Sequence, residues 1–499
     1  MTATARLRVD DLGGDARAAL EALVRLLGPG RPAWLVGGAL RRALTGGDAG
    51  DLDIAVPSGG IALARALAAS LGAAFHVLDE TREAARLSAG TGHAWHGPQI
   101  DVADFRAESL AGDLGGRDFT INALAVAVHP LVAAGEADVE DPTGGLEDLQ
   151  SRIVRLCGPR SLEDDPVRII RAARFGSQPG WRIDGALAAL AGRAAPGLSE
   201  ASAERIRGEL LAILAGAGSA VGLRLLDRWG AFGVLLPERA AMQATAQSEP
   251  HRFDVWEHSL RAVEAADLLV ARLGELSPWG GEFARHLAEP LGDGATRREA
   301  LKLAALLHDV AKPETVSVEA GRTRFLGHDA IGARRAVEIA ERLRLSGRMA
   351  AVLERLVRHH LRPMHLTLAG GVSRRARFRF FRDLGEDARD LLLLALADAA
   401  ALRGDSPLRV WAEPAGRTIR DLMAGHAEEA AALSSPPLLD GRDVMAAVGL
   451  SAGPEVGRLL RLLREAHAIG AVTTREEAIA FVRRMRAEPL DTPEADPLE

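Results

Sequence analysis

The sequence of 499 residues lacks tyrosine altogether and has a single cysteine, Cys157. One cysteine excludes a disulfide framework, so nothing in the composition favours an oxidising compartment. Lysine occurs only at positions 302 and 312, and nearly every basic residue is arginine. This bias, together with abundant alanine, is typical of GC-rich coding, and we infer no function from it.

Long hydrophobic runs are also missing. The most apolar stretch, residues 391–402, contains Asp398 and is too short to span a bilayer. The first 30 residues lack the basic start and apolar core of a signal peptide. We therefore expect a cytoplasmic protein that does not associate with membranes.

An overall excess of positive charge is absent too, since 61 basic residues face 68 acidic ones for a net charge of −7. This balance does not announce a nucleic-acid-binding protein, but it does not exclude one, because phosphate contacts need only a local positive surface. The apolar fraction of 47% and the charged fraction of 26% are ordinary for globular proteins and exclude wholesale disorder.

The pattern of the chain changes near residue 155. Before it, short apolar runs at 33–36, 52–56 and 73–78 alternate with a helical pattern at 61–71, which predicts a mixed α/β domain. After it, nearly every segment has helical periodicity. Residues 246–250 are predicted to be a linker, and the last twelve residues, with five acids, three prolines and no base, a disordered tail.

A first candidate site combines Gly37-Gly38 with Asp51 and Asp53. A strand that ends in two glycines and opens a helix lets backbone N–H groups approach phosphate oxygens. On a strand, two aspartates two positions apart point to the same face. Adjacent carboxylates repel unless a cation lies between them, and Mg²⁺ binds such oxygens together with substrate phosphates. An ordinary turn and a surface loop with two solvated acids are the alternatives.

Downstream, polar residues recur at helical spacing. Asp165 is a good N-cap and Pro166 a good first helical residue, so Asp165 alone is explained by capping. Arg168, Arg171 and Arg174 follow at spacing three and share one helical face. Such a stripe of cations suits a triphosphate or the edge of a base.

These motifs, in their order and spacing, resemble the class II tRNA nucleotidyltransferase and bacterial poly(A) polymerase family with a C-terminal HD domain. The matching segments are GGALR at 37–41, DLD at 51–53, RDFTINAL at 117–124, DPTGG at 141–145, DDPVRIIRAARF at 164–175 and SAERIRGEL at 202–210.

The resemblance implies an α+β protein with a polymerase-β-like α/β nucleotidyltransferase head followed by helical parts. The implied domains are the catalytic head at 1–155, a helical neck for base and tRNA binding at 156–245, a metal-binding HD domain at 251–405, a helical tail at 406–487 and the disordered tail at 488–499.

The resemblance also implies template-independent addition of C and/or A to the 3′ end of tRNA. CTP and ATP would be the substrates, Mg²⁺ the cofactor, pyrophosphate the product and the tRNA acceptor end the partner. Asp51 and Asp53 would be catalytic and hold Mg²⁺. The implied nucleotide-binding residues are Gly38, Arg41, Arg117, Asp118, Asn122, Asp165, Arg168, Arg171 and Arg174.

Base choice has an independent physical argument. Cytosine and adenine present an amino donor beside a ring-nitrogen acceptor, whereas uracil and guanine present a carbonyl beside an N–H. Aspartate accepts and arginine only donates, so Asp165 with Arg168 suits C and A. Each mismatched buried polar group costs about 1–3 kcal/mol.

The sequence departs from the family at several positions. Arg42 stands where an acid is usual, Gly116 where a second arginine is usual, and Asp164 where a glutamate is usual. The stretch 105–116 is short, as in CC-adding members, and leaves open whether the terminal A is added.

A second candidate site lies in the C-terminal half. His258, the pair His308-Asp309 and the later Asp398 follow the order of the HD phosphohydrolase superfamily, with Lys312 at the HDxxK spacing. Imidazole and carboxylate ligands suit a divalent transition metal. His328 and either His359 or His360 are candidate ligands for a second ion. The alternative is that each histidine is a partly buried structural residue.

The segment 374–382 has five arginines and no acid, interleaved with Phe378, Phe380 and Phe381. It is either a solvated helix face or a contact for the tRNA backbone.

Two classes of function remain, and the sequence leaves the oligomeric state open. The favoured function is the nucleotidyltransferase, with a poly(A) polymerase as the alternative within that class. The other class is an HD-type metal-dependent nucleotide phosphohydrolase or phosphodiesterase whose head serves mainly for binding.

Overall fold

The α/β pattern of the N-terminal region folds into a six-stranded sheet. The computed structural model describes residues 4–319, 321–434 and 436–487, so the predicted disordered tail 488–499 lies outside the described residues. The strands of this region are β1 (Arg6–Arg8), β2 (Trp34–Val36), β3 (Leu52–Val56), β4 (Ala74–Asp79), β5 (Ala84–Ser88), β6 (Ile100–Asp104), β7 (Ala125–Ala127), β8 (Glu136–Asp138), β9 (Ile153–Val154) and β10 (Arg182–Ile183).

The sheet has the order β4-β5-β6-β3-β2-β7, with β3 parallel to β6 and the other neighbours antiparallel. Strand β3 lies near its centre, which explains its apolar sequence LDIAV with four buried positions. The register places Asp53 of β3 beside Val36 on one side and Asp101 on the other. The central strand β3 therefore places Asp53 next to residues of both neighbouring strands.

The helices of the first unit precede, connect or follow the strands of this sheet. Glycine-initiated α3, for example, packs against β5 and β6 through its buried alanines and leucines. They are α1 (Gly14–Leu27), α2 (Gly38–Leu44), α3 (Gly60–Leu71), α4 (Leu110–Gly115), α5 (Val128–Ala134), α6 (Gly145–Ser151), α7 (Ser161–Asp164), α8 (Arg168–Gly176) and α9 (Gly185–Ala194).

The rest of the described chain is nearly all helical, as its periodicity predicts. Two short hairpins interrupt it, β11 (Pro290–Gly292) with β12 (Ala295–Thr296) and β13 (Val316–Glu319) with β14 (Arg322–Phe325). The helices are α10 (Ala203–Ala215), α11 (Ser219–Arg228), α12 (Phe232–Leu235), α13 (Arg239–Ala244), α14 (Val255–Ala271), α15 (Gly280–Leu287), α16 (Arg297–Leu307), α17 (Lys312–Thr315), α18 (His328–Arg342), α19 (Gly347–His359), α20 (Arg362–Leu368), α21 (Arg374–Leu384), α22 (Ala388–Arg403), α23 (Pro407–Ala412), α24 (Pro414–Ser434), α25 (Gly441–Val448), α26 (Pro454–Ala468) and α27 (Arg475–Ala487).

The chain divides into two compact units. The first comprises Met1–Ala201 and Leu225–Val234, and the second comprises Ser202–Arg224 and Leu235–Glu499. In the second unit α14, α16 and α22 pack on one another, and α18 packs along α19. The α+β class is confirmed, while the boundaries of the five finer domains stay a prediction.

Several local predictions hold, and one is wrong. The runs 33–36, 52–56, 73–78 and 61–71 correspond to β2, β3, β4 and α3. Helix α8, however, begins at Arg168 and not at Pro166, because a tight turn precedes it in which the N–H of Arg168 donates to the carbonyl of Asp165 at 3.1 Å. Among the described residues, no helix is long and apolar enough to cross a bilayer.

Candidate active site and metal centre

The Gly37-Gly38 turn joins β2 to α2 beside a carboxylate of β3. Gly37 has a positive φ of 77°, which favours glycine. A Cβ at this position would also lie 2.7 Å from Oδ2 of Asp53. Both the positive φ and the neighbouring carboxylate therefore require glycine at this position.

Asp51 and Asp53 lie together, but not as two residues of one strand. Strand β3 begins at Leu52, so Asp51 occupies the exposed bend before it while Asp53 is half-buried on the strand. The same-face argument for two aspartates on one strand therefore does not apply to Asp51, because pairing with β6 starts at Leu52. Neither carboxylate makes a hydrogen bond or a salt bridge with any residue in the described ranges.

A third carboxylate, Asp101 of β6, pairs in register with Asp53. Arg86 of β5 holds it through two hydrogen bonds of 2.8 Å. No motif in the sequence pointed to Asp101. The alternation Ile100-Asp101-Val102 does predict a polar side chain on an otherwise buried strand. Its relevance to Asp53 depends on which strand lies next to β3.

Electrostatics at Asp53 favour a bound cation. Burial raises its pKa, and Asp101 and Asp51 act in the same direction, although Arg117 and Arg42 lower it. The ionised form of a half-buried carboxylate beside two others is destabilised, and a nearby cation would stabilise it. Oxygen ligands of this kind fit Mg²⁺.

The predicted nucleotide-binding residues form a connected network beside this site. Asn122 donates to Asp118 at 3.1 Å and accepts from Arg41, and Arg171 donates to Asp118 at 3.0 Å. Burial would raise the pKa of Asp118, but Arg171 and the hydrogen bonds from Phe119 and Asn122 hold it below its ordinary value. The network fixes two arginines around one ionised carboxylate.

Arg41 lies in an unusually positive neighbourhood. Burial lowers the pKa of its guanidinium to about 10, and Arg174 and Arg42 contribute in the same direction. Both Arg41 and Arg174 stack on the ring of Phe175, at 4.6 and 4.5 Å from its centroid. Clustered arginines are costly without an anion, so this arrangement is suited to phosphates.

Arg168 is buried and largely committed to the protein. Its Nη1 donates to Ser161 Oγ at 2.7 Å and to the carbonyls of Ser161 and Arg117, and its Nη2 donates to the carbonyl of Gly116. Its Nε lies 3.7 Å from Oδ2 of Asp165. The arginine thus holds the 116–117 backbone, a role that the sequence spacing did not indicate.

Asp165 is placed differently from the predicted N-cap. Val167 is the N-cap of α8, and the carboxylate of Asp165 accepts from the backbone N–H of Val167 at 3.3 Å. Arg117 in turn bonds Asp113 at 3.1 Å and extends toward Gly37, where a Cβ would lie 3.3 Å from its Nη1. The structure therefore brings Asp51, Asp53, Arg117, Asp118 and Asn122 into one region of the head.

The second site is a buried cluster of histidines and aspartates in the second unit. One group of potential ligands consists of His258, His308 and Asp398, and another of Asp309, His328 and His360. Within the first, Nε2 of His258 lies 3.2 Å from Nε2 of His308 and 3.0 Å from Oδ1 of Asp398. In the second, Nε2 of His328 lies 3.2 Å from Nε2 of His360.

The same local device orients three of these rings. His308, His328 and His360 each direct Nδ1 at the backbone carbonyl three residues earlier, at 2.9, 2.6 and 2.7 Å. A carbonyl only accepts, so Nδ1 donates its proton to it and Nε2 is left to face the cluster. The Nε2 atoms of His258 and His308, and those of His328 and His360, lie 3.2 Å apart, so the two rings of each pair are placed to share one cation. The donor set fits divalent metal ions.

Asp309 lies between the two groups. Its Oδ2 is 3.2 Å from Nε2 of His308, and its Oδ1 is 3.3 Å from Nε2 of His328. Burial would raise its pKa, but His308 and Lys312 hold it well below the ordinary value, so the carboxylate is ionised. Each oxygen therefore faces a different group of ligands, as a bridging carboxylate requires.

Of the two candidate histidines at the end of α19, the structure selects His360. His359 lies outside both groups, and burial lowers its pKa to about 4, with Arg362 acting in the same direction. Lys312 donates to Gln247 at 2.7 Å and lies 2.6 Å from Asp309. The predicted linker 246–250 thus supplies a residue next to the metal centre, which no motif indicated.

The basic segment 374–382 forms most of α21. Its three phenylalanines are buried, whereas Arg375, Arg379 and Arg382 converge on the buried Glu465 of α26 at 3.0, 2.9 and 3.7 Å. Arg377 pairs with Glu428 and Glu429. The segment is a packed helix with paired arginines, and a role in tRNA contact stays a prediction.

Comparison with known families agrees with this division of the chain. Residues 33–155 match the poly A polymerase head domain, residues 180–242 match the family described as "Probable RNA and SrmB- binding site of polymerase A", and residues 255–402 match the HD domain. Both candidate sites fall within these matches, except for the segment around 165–175.

Relatives of known name cover nearly the whole chain. An A-adding tRNA nucleotidyltransferase of Deinococcus radiodurans is 36% identical over 91% of this chain and 95% of its own length. A CC-adding tRNA nucleotidyltransferase of Thermus thermophilus is 34% identical over 91% and 93%. One from Geobacter sulfurreducens, also CC-adding, is 31% identical over 93% and 93%.

Solved structures share the fold at lower identity. The Thermotoga maritima CCA-adding enzyme complexed with tRNA has a TM-score of 0.57 at 19% identity, covering 94% of both chains. A CCA-adding enzyme in complex with ATP has a TM-score of 0.60 at 18% identity, also covering 94% of both. The fold and the site thus define a nucleotidyltransferase with a polymerase-like head and an HD domain. The chain belongs to the family of tRNA nucleotidyltransferases.

Proposed function

We propose that this protein adds C and/or A to the 3′ end of tRNA from CTP and ATP, without a template and with release of pyrophosphate. The observation that carries the proposal is the pair Asp51 and Asp53 beside the Gly37-Gly38 turn, next to arginines stacked on Phe175. Carboxylates without protein partners and clustered cations are the two halves of a site for a metal-bound triphosphate.

Asp51 and Asp53, with Asp101 next to Asp53, would hold Mg²⁺. A bound divalent ion would lower the pKa of the attacking 3′-hydroxyl and neutralise charge at the phosphorus. The chain's own residues do the positioning. Arg41 and Arg171 sit on the Asp118–Asn122 network, where they are fixed to meet the nucleotide's phosphates and ribose.

Asp165 and Arg168 would read the incoming base. Their side chains adjoin at 3.7 Å, so an acceptor and a donor stand side by side as an edge of cytosine or adenine requires. Hydrogen bonds from Arg168 to the 116–117 backbone support this role, because they restrict the guanidinium to one orientation.

Labelled CTP or ATP given with tRNAs that end before C74, before C75 and before A76 tests the proposal. Incorporation of at most three nucleotides supports it, and a long A tail would instead support a poly(A) polymerase. The primer that is extended shows which nucleotides are added. The short stretch 105–116 contains α4, which Ser109 caps, and its length leaves open whether the terminal A is added.

A second activity is favoured by the HD centre. We propose that the two groups of potential ligands, with Asp309 between them, would hold divalent ions, and that the centre hydrolyses phosphate esters of nucleotides or cyclic phosphates. The facing Nε2 atoms of His328 and His360 and of His258 and His308 support the two-ion arrangement. Metal-dependent phosphate release by the purified protein tests it, and a parent without such activity would leave the centre a structural one.

A cytoplasmic location agrees with tRNA as the substrate.

A further inference from the structure

Arg42 departs from the family pattern and is tied to the loop that carries Asp51. Its Nε donates to the carbonyls of Ala49 at 2.8 Å and Asp48 at 3.1 Å. Its Nη2 donates to the carbonyls of Ala49 and Asp51, the latter at 3.4 Å. An acid at this position has no donor for these carbonyls, so the contact belongs to the arginine and not to the usual residue of the family.

The loop is shaped around the guanidinium. Gly50 has a positive φ of 59°, and a Cβ there would lie 2.8 Å from Nη2 of Arg42. Any side chain at position 50 would push the guanidinium off the carbonyls. The half-buried arginine thus connects α2 to the bend that presents Asp51.

The third guanidinium nitrogen of Arg42, Nη1, lies near Gly38 and away from the loop that carries Asp51. Nη1 makes no hydrogen bond with any residue in 4–319, 321–434 or 436–487, and a Cβ on Gly38 would lie 3.3 Å from it. Two N–H donors therefore face the Gly37-Gly38 turn, on whose other side stands Asp53. The turn is where the proposed function puts the triphosphate.

We propose that Arg42 binds the β- and γ-phosphates through Nη1 while Nε and Nη2 hold the Asp51 loop. This rests on the proposed function. In that reaction the 3′-oxygen forms a bond to the α-phosphorus, its proton passes to solvent, and the bond from that phosphorus to the bridging oxygen breaks. The electron pair leaves with pyrophosphate, whose growing negative charge a guanidinium is suited to stabilise.

The test measures binding of inorganic pyrophosphate, with Mg²⁺ present, by titration calorimetry. Arg42→Gln should raise the Kd for pyrophosphate at least about tenfold, since a charge-assisted hydrogen bond to phosphate is lost. Arg42→Lys should recover much of this affinity, because it keeps a cation near the phosphates although it cannot span the three carbonyls. Arg65→Gln, an exposed arginine of α3, is the control and should bind as the parent does.

Two outcomes would overturn the inference. Unchanged pyrophosphate affinity in Arg42→Gln would mean that the arginine acts on the loop alone. Equal weakening in Arg42→Gln and Arg42→Lys would mean the same, because both variants lose the carbonyl contacts. Failure of the parent to extend tRNA would contradict the proposed function instead. The two failures can be told apart because pyrophosphate binding is measured without turnover. The kcat for CTP incorporation adds a second readout, and it should fall in Arg42→Gln because the guanidinium stabilises charge that grows as pyrophosphate leaves.

Discussion

The two sites of this protein assemble acidic side chains in opposite ways. In the head, Asp101 is paired with Arg86 and Asp118 with Arg171. Asp51 and Asp53 have no such partners among the described residues. In the HD centre four imidazoles turn toward one another and toward two aspartates, and Lys312 lies in hydrogen-bonding range of Asp309.

The difference teaches how each site depends on metal. The other aspartates of the head site form ion pairs with arginines, so the head needs a cation only at Asp51 and Asp53, and only for catalysis. The HD centre holds four imidazoles and two carboxylates close together in the protein interior, so bound cations contribute to its stability as well. Variants that separate these two dependences test the comparison.

The largest effect is expected from Asp53→Asn, which should reduce CTP or ATP incorporation at least about a hundredfold, because a metal-holding carboxylate contributes several kcal/mol. Asp51→Asn should act in the same direction. Primer extension with radiolabelled nucleotide is the measurement, and Asp15→Asn, an exposed carboxylate of α1, is the control. Incorporation within tenfold of the parent would contradict the assignment.

Metal content should separate the HD centre from the head. Elemental analysis is expected to find about two divalent ions per chain in the parent, about one in His328→Gln and almost none in Asp309→Asn, whose carboxylate faces both ligand groups. His359→Gln, a neighbour outside both groups, should keep both ions.

The same variants should leave CTP incorporation unchanged. Chelation should lower the thermal midpoint of the parent more than that of Asp309→Asn, because only the parent loses bound metal. Equal metal content in parent and Asp309→Asn would mean that the histidine cluster is structural.

Asp165→Ala should relax the rejection of UTP and GTP. The ratio of CTP and ATP incorporation to UTP and GTP incorporation should fall about tenfold, because the conflict that is removed costs about 1–3 kcal/mol. The reason is that the substitution removes an acceptor that opposes a carbonyl on the wrong base. Competition among all four nucleotides measures the ratio, and the exposed neighbour Asp164→Ala is the matched control. Equal loss of activity with every nucleotide would mean that Asp165 does not read the base and that its contact with the backbone of Val167 is its role.

The smallest effect concerns stability. The folded-state pKa of Asp118 is lowered, so its stabilisation is present above the unfolded pKa of about 3.9 and is lost as the pH falls through the folded value. Asp118→Asn should therefore cost about 1–3 kcal/mol at pH 7 and converge with the parent in acid.

Urea unfolding at both pH values measures this difference in the free energy of unfolding. The exposed pair of Arg6 with Asp138 is the control, and Asp138→Asn should change stability by less than about 1 kcal/mol. A constant difference at every pH would show that ionisation of Asp118 is not the cause.

The class of fold and the order of the motifs could be inferred from the sequence alone, and most of the residues it singled out lie together in the two candidate sites. Periodicity and glycine placement indicated β2, β3, α3 and the helix that ends at His308, and the spacing of His308-Asp309 and Lys312 indicated the resemblance to HD proteins. These signals are local, because alternation, capping and short spacings reflect the geometry of a single element.

Only the tertiary structure decided which distant residues meet. Asp101 stands beside Asp53 because β3 pairs with β6, nearly fifty residues onward, and no local pattern encodes a strand's neighbour. His360 and not His359 lies within the histidine cluster, where its Nδ1 donates to the carbonyl of Val357. Arg168 holds the 116–117 backbone, and Arg42 the loop of Asp51, through backbone carbonyls. Every residue has a carbonyl, so sequence cannot reveal which ones a guanidinium will reach until the chain is folded.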